Sequence, residues 1–238
     1  MAFLTQPELE VLRTRAADIT PAQAIALAWN QCVEDGTFFL RYVQTRDEAD
    51  QAQTTKPFPL YETYLLDLWQ ILSTEQRVVV AKSRQMMISW LVATYCVWYA
   101  RFHGNTACYY QTKAFEDAVA MVAMPEGGFE GRCQFIESHL PHWLHLDCKV
   151  SEGRIQYPNG SIIQALAGGA DKIRGKVASV VVEDEFGHQE DQVGVFTAVA
   201  PLIQKGAKAF FISTPNGSDN FFATLYHGHP VGTEETVS

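Results

Sequence analysis

The sequence predicts an α/β fold with a mainly parallel sheet flanked by helices, and three observations carry that prediction. Three apolar runs, Val78-Val79-Val80-Ala81, Val180-Val181-Val182-Glu183 and Phe210-Phe211-Ile212, each stop at a polar cluster. Along much of the chain, strand-like runs alternate with helix-like ones, which implies right-handed crossovers. The clusters themselves, Lys82-Ser83-Arg84-Gln85-Met86-Met87-Ile88-Ser89, Asp184-Glu185 and Ser213-Thr214-Pro215-Asn216-Gly217, all follow strand ends. Ligands of open α/β sheets bind outside the carboxyl ends of the strands, so the three clusters are expected to meet at one phosphate-binding crevice.

The elements follow in order. Residues 7–34 carry apolar positions at helical spacing, with Thr20 as an N-cap and Pro21 in the first turn, and read as two helices. Residues 45–56 are polar and read as a linker, and residues 59–73 read as an amphipathic helix with Leu60, Tyr64, Leu65, Leu68 and Ile71 on one stripe. A strand at 77–81 leads through the first polar cluster into a helix over 87–101, which stops at His103-Gly104. A second strand, 106–110, ends at Gln111-Thr112-Lys113, and a helix over 114–124 closes at Pro125-Glu126-Gly127-Gly128. Pro158-Asn159-Gly160, flanked by Ile155, Tyr157, Ile162 and Ile163, marks a β-hairpin insertion within 149–166. The chain divides into an N-terminal helical extension and linker (1–56), a core (57–227) and a flexible tail (228–238).

With 238 residues and 47% apolar content, the chain can bury a sizeable core. The longest helix-like apolar stretch, 86–100, is too short for a bilayer, and residues 1–20 carry charges where a signal peptide needs an apolar core, so no membrane is expected and an intracellular location is. The five cysteines lie far apart without a C-x-x-C pair, which points to reduced thiols. His139, His142 and His145 recur every third residue, but Pro141 breaks any helix that would align them as metal ligands. A net charge of −9 leaves nucleic acid as a partner only for a locally basic face, for which Lys172, Lys176, Lys205 and Lys208 are the candidates.

A phosphate cradle needs backbone N–H groups opening a helix, a cation for the β- and γ-phosphates, and a hydroxyl for magnesium. Lys82 and Arg84 offer the cation and Ser89 the hydroxyl, yet the string G-x-x-x-x-G-K-[ST] is absent: Lys82 and Met87 stand at its glycine positions and Ile88 at its lysine. Taken alone, the segment reads more readily as a polar turn between a strand and a helix. Asp184 would hold magnesium and Glu185 would polarise the attacking water, with Glu183 an alternative metal ligand at the strand's last position and a solvated acidic turn the plainer reading. Thr214 and Asn216 are placed to sense the γ-phosphate, although Pro-Asn-Gly is also an ordinary turn.

Taken together and in order, the 82–89 cluster, Ile173-Arg174-Gly175, Val182-Glu183-Asp184-Glu185 and Ser213-Thr214-Pro215-Asn216-Gly217 resemble the ATPase domain of the large terminase subunit of tailed bacteriophages. Phe38-Phe39-Leu40-Arg41-Tyr42-Val43 and the hairpin at Pro158-Asn159-Gly160-Ser161 are similar to that family as well. The resemblance implies a RecA-like P-loop NTPase fold and Mg2+-dependent ATP hydrolysis that moves double-stranded viral DNA, nonspecifically held, into a procapsid. It implies a deviant Walker A loop, Lys82-Ser83-Arg84-Gln85-Met86-Met87-Ile88-Ser89, with its lysine first, Arg84 on the γ-phosphate and Ser89 on magnesium. Asp184, ten positions after Arg174, becomes the Walker B aspartate, Glu185 the catalytic acid, and Arg174 the arginine offered to a neighbouring subunit. Ser213, Thr214 and Asn216 become the coupling motif, Tyr61 the aromatic beside adenine, and Glu62 the residue next to it, where the family more often has a nearby glutamine. Partners implied are a homo-oligomeric ring, the portal protein and the small terminase subunit, in the cytoplasm of an infected host cell. The family's second half is an RNase H-like nuclease, and the stretch after Thr214 is too short to hold one, so no nuclease activity is expected from this chain. The alternatives are a degenerate, non-hydrolysing scaffold of the same fold and another DNA translocase or helicase.

Overall fold

In the computed structural model, residues 19–47, 54–83, 86–124 and 129–228 are described. The first helix expected within 7–34, the closing turn at 125–128 and the tail from 229 onward lie outside the described residues. Thr20 opens α1 (Pro21–Glu34) through a capping box: its Oγ1 accepts from the Gln23 N–H at 3.3 Å, and Gln23 Oε1 accepts from the Thr20 N–H at 2.8 Å. Asp35 ends α1 and caps α2 (Gly36–Leu40).

Residues 45–56, expected as a linker, instead hold parts of two short antiparallel strands, β1 (Gln44–Arg46) and β2 (Thr55–Pro57). Thr45 is buried between two half-exposed neighbours and its hydroxyl donates to the Lys56 carbonyl at 3.2 Å. Strands this short and polar carry no apolar run for a sequence pattern to register. The next helix, α3 (Thr63–Thr74), also differs from expectation, burying Leu65, Trp69 and Leu72 while Ile71 stays 44% exposed. Trp69, absent from the expected stripe, turns the helix by packing its ring against Tyr95 and Trp98.

The main sheet contains β3 (Arg77–Ala81), β4 (Ala107–Gln111), β5 (Lys149–Ser151), β6 (Arg154–Gln156), β7 (Ile162–Leu166), β8 (Val180–Asp184) and β9 (Lys208–Ser213), in the order β3-β9-β8-β4-β7-β6-β5. The first five in that order run parallel, and β6 pairs antiparallel with both β7 and β5. The turn at Pro158-Asn159-Gly160 joins β6 to β7, so the antiparallel strands continue the main sheet through the β4–β7 pairing.

Helices cover both faces. On one side α4 (Ile88–Phe102) is apolar nearly all round and buried, as a helix enclosed by protein must be. It packs with α3, α5 (Phe115–Val122) and α6 (Arg132–Ser138) over Cys108, Tyr110, Val180, Val182 and Phe210. On the other side α7 (Ala170–Ile173), α8 (Gln192–Gln204) and α9 (Phe221–His227) cover Tyr109, Val181, Ala209 and Phe211. Successive residues of β8 thus feed opposite layers, the period of two that a strand imposes. The five cysteines are free, and four of them are buried. Among the described residues no helix is long and apolar enough to cross a membrane.

Candidate functional site

β9 lies between β3 and β8, and the three run parallel, so their carboxyl ends open on one edge of the sheet. The loop after β3 is tied down at once, the Lys82 N–H donating to the Ser213 carbonyl at 2.9 Å. Ser89 sits in the first turn of α4 and Asp184 closes β8. Lys82 Nζ donates to Ser89 Oγ at 3.0 Å and to Asp184 Oδ1 at 2.9 Å, and lies 3.4 Å from Glu185 Oε1. Asp184 Oδ1 also accepts from the Glu185 N–H at 2.9 Å, while Oδ2 accepts from Tyr110 Oη at 2.7 Å and from Ser89 Oγ at 3.5 Å. Burial, and then the charge of Asp184, hold the Tyr110 phenol well above its ordinary pKa, so it remains a donor.

Met87 stands in the left-handed region, φ 55° and ψ 5°, at the N-cap of α4. This is a backbone position that glycine fills without cost and other residues fill at about 1–2 kcal/mol. The loop therefore follows a glycine path with a methionine in place, the side chain packed against the core. Met87→Ile, which adds a β-branch where φ is positive, is expected to lower the unfolding free energy by about 1 kcal/mol, whereas Met87→Asn stays within about 0.5 kcal/mol of the parent. Urea unfolding of the two variants checks this.

The acids after β8 separate by strand geometry. Glu183 points into the opposite layer, fully buried, its Oε2 accepting from Gln189 Nε2 at 3.2 Å. Burial pushes its pKa up from 4.5 to about 8. It is remote from the Lys82–Asp184 contact, and Asp184 is the carboxylate that faces Ser89. Glu185 is left-handed at φ 49° and half-exposed, its Oε2 accepting from Thr214 Oγ1 at 3.1 Å. His188, which no sequence pattern singled out, completes a triangle: its Nε2 lies 2.9 Å from Thr214 Oγ1 and 3.8 Å from Glu185 Oε2. Ser213 Oγ accepts from the Gly187 N–H at 3.0 Å, and Asn216 Nδ2 donates to the Gly187 carbonyl at 2.9 Å.

A cleft of about 590 Å³ lies over this cluster, lined among others by Tyr61, Ser83, Met86, Met87, Ile88 and Thr214. Tyr61 is 81% exposed. Tyr64 Oη donates to the Met86 carbonyl at 3.0 Å and steadies the loop from α3. Glu62 does not line the cleft; it occupies the N-cap position of α3, where its side chain makes no capping bond. Arg84 and Gln85 lie outside the described residues. Arg174 is exposed after α7 and pairs with Asp171 at 2.8 Å. Lys208, proposed with Lys172, Lys176 and Lys205 for a basic face, is instead committed to α3: its Nζ donates to the carbonyls of Leu72, Ser73 and Glu75 at 3.0, 2.9 and 2.9 Å, orphan acceptors of a helix end. Arg46 and Arg132 also line the cleft. Neither followed from the sequence, because Arg46 sits on a polar ribbon and Arg132 at the start of a helix without a motif.

The donor set suits a hard divalent cation. A hydroxyl and a carboxylate oxygen 3.5 Å apart face each other beside a buried ammonium that already balances the charge there. Among the described residues no group of three His, Cys, Asp or Glu side chains is placed to hold a metal ion by itself.

No protein-family model matches the chain. Among solved structures, the large terminase of bacteriophage HK97 superposes with a TM-score of 0.59 over 82% of this chain at 13% identity. An arginine-to-alanine variant of the large terminase ATPase domain of Thermus phage P74-26 gives 0.51 over 68% of this chain and 68% of its own, at 17% identity. The large terminase of another thermophilic bacteriophage, solved in complex with ADP, gives 0.51 over 70% of this chain at 15% identity. The matched region spans 40% of the HK97 chain and 41% of the ADP-bound one. With its parallel strands, flanking helices and polar strand ends in this order, the chain has the RecA-like fold of the phage large-terminase ATPase domains.

Proposed function

We propose that the chain is an Mg2+-dependent ATPase whose hydrolysis drives double-stranded DNA into a procapsid, with residues 57–227 as the working unit. One observation carries this reading: Lys82 and Ser89 from one segment, and Asp184 and Glu185 from another far along the chain, share one hydrogen-bonded cluster at the mouth of a cleft. The fold shared with terminase ATPase domains, and the ADP held by one of those terminases, agree with it.

In this reading Lys82 neutralises the β- and γ-phosphates, and Arg84 joins it on the sequence pattern. Ser89 and Asp184 hold Mg2+, which supplies charge neutralisation at the phosphates. Glu185, fixed by Thr214, orients and polarises the attacking water. Thr214 and Asn216 report the state of the site to the turn at Gly187. Tyr61 flanks the base. Arg174, exposed and paired with Asp171, is offered to an adjacent subunit of a homo-oligomeric ring, with a portal protein and a small terminase subunit as further partners. DNA is held through its phosphates, so binding weakens as salt rises.

Phosphate release from Mg-ATP, with and without double-stranded DNA, tests the reading. The wild type is expected to turn over, and Glu185→Gln to lose about a hundredfold in kcat while still binding nucleotide, the loss typical of a removed general base. A wild type that binds nucleotide in its assembled form without turnover would make it a scaffold.

A further inference from the structure

Tyr110 is fully buried in the middle of an apolar strand, where packing alone would be served by phenylalanine. A phenol taken out of water needs a partner, and the one here is a carboxylate: Oη donates to Asp184 Oδ2 at 2.7 Å. The register explains the reach. Tyr110 lies opposite Val182 on the parallel neighbour β8, and Asp184 follows two residues later on the same face, so the ring leans along the strand direction onto the carboxylate. With Lys82 and the Glu185 N–H both on Oδ1, the phenol is the short contact that fixes the other oxygen, the one nearest Ser89 Oγ.

We propose that Tyr110 is a positioning residue for the divalent cation, clamping Asp184 Oδ2 in the orientation that the cation shared with Ser89 requires. This rests on the reading of Ser89 and Asp184 as its ligands. The phenol touches neither nucleotide nor metal; it removes the carboxylate's rotational freedom before the metal arrives. Outer-shell partners of metal ligands are typically worth about 10–100-fold in metal affinity.

The test is the Mg2+ dependence of nucleotide binding, read as fluorescence of N-methylanthraniloyl-ADP titrated with Mg2+, in the wild type and in Tyr110→Phe. The variant is expected to need about tenfold more Mg2+ for half-saturation, with metal-free nucleotide affinity within twofold of wild type. A purely structural role would lower both affinities or neither. Incorporation of 3-fluorotyrosine at position 110, which keeps the donor, is expected to restore the wild-type titration and covers the case of a poorly folded Phe variant. An unchanged Mg2+ midpoint in folded Tyr110→Phe overturns the positioning role and leaves the ATPase reading intact. A wild type with no Mg2+-dependent nucleotide binding overturns the ATPase reading first and the role of Tyr110 with it.

Discussion

Lys82→Met is expected to destabilise the protein by about 3–5 kcal/mol as well as to abolish nucleotide binding. The two effects have one origin. Lys82 and Asp184 form an ion pair whose side chains are 9% and 7% exposed, so removing the ammonium strands a carboxylate in a low-dielectric site. Tyr110 and the Glu185 N–H still donate to that carboxylate but do not neutralise it. The double variant Lys82→Met/Asp184→Asn removes both charges and keeps an acceptor for Tyr110, and is expected to regain most of the lost stability. It should remain unable to bind Mg-nucleotide. Urea unfolding of the single and double variants, with nucleotide titrations on each, separates the architectural share of Lys82 from its ligand share. A single variant as stable as the wild type would show that the pair is not desolvated.

The second large effect concerns Glu183, the acid that the sequence left open as a metal ligand. Among the described residues neither its Oε1 nor Gln189 Oε1, both buried, has a hydrogen-bond partner, and a proton on Glu183 would supply a donor there. The raised pKa, about 8 against 4.5 in an exposed chain, agrees with a neutral acid in the fold. The sign follows directly. Between the two values the unfolded state has lost this proton and the folded state retains it, so stability falls as pH rises from 4.5 to about 8 and is level beyond. Glu183→Gln offers the same shape and both donors with nothing to titrate. At about 1.4 kcal/mol per pH unit, it is expected to exceed the wild type by a few kcal/mol at pH 8 and to match it near pH 4.5. The same variant should keep ATP turnover. Loss of turnover in Glu183→Gln, with stability intact, would return the metal to Glu183.

What could be read from the residues was local. Long apolar runs that stop at charged or hydroxylated clusters announce parallel strands and their carboxyl ends, and β3, β8 and β9 with Lys82, Ser89, Asp184 and Thr214 were legible on that ground. What could not be read was order across the sheet. Nothing in the chain states that β9 inserts between β3 and β8, yet that insertion brings Thr214 onto Glu185. Tyr110 hid inside an apolar strand because its hydroxyl is invisible to a hydrophobic pattern. The signal that could find it is a polar-tipped aromatic in a strand beside the acidic one. The helix α8 carries Gly194 and Pro201, which argue against a helix locally, and burial of Val195, Val199 and Leu202 overrides them. Lys208 read as a surface cation because three helix-end carbonyls cannot be seen without tertiary structure.

Gly187 gathers a set of bonds with a mechanical consequence. Its N–H meets Ser213, its carbonyl accepts from Asn216 and from Gln192 Nε2 at 3.1 Å, and Gln192 Oε1 in turn accepts from the Phe222 N–H at 2.8 Å in α9. A Cβ at position 187 would come within 2.9 Å of Ser213 Oγ, so the stitching is also sterically closed. The segment behind the acidic strand and the last described helix are therefore riveted into one stiff arm. In the motor proposed above, displacement at the cleft is expected to travel down that arm instead of being absorbed by a slack loop.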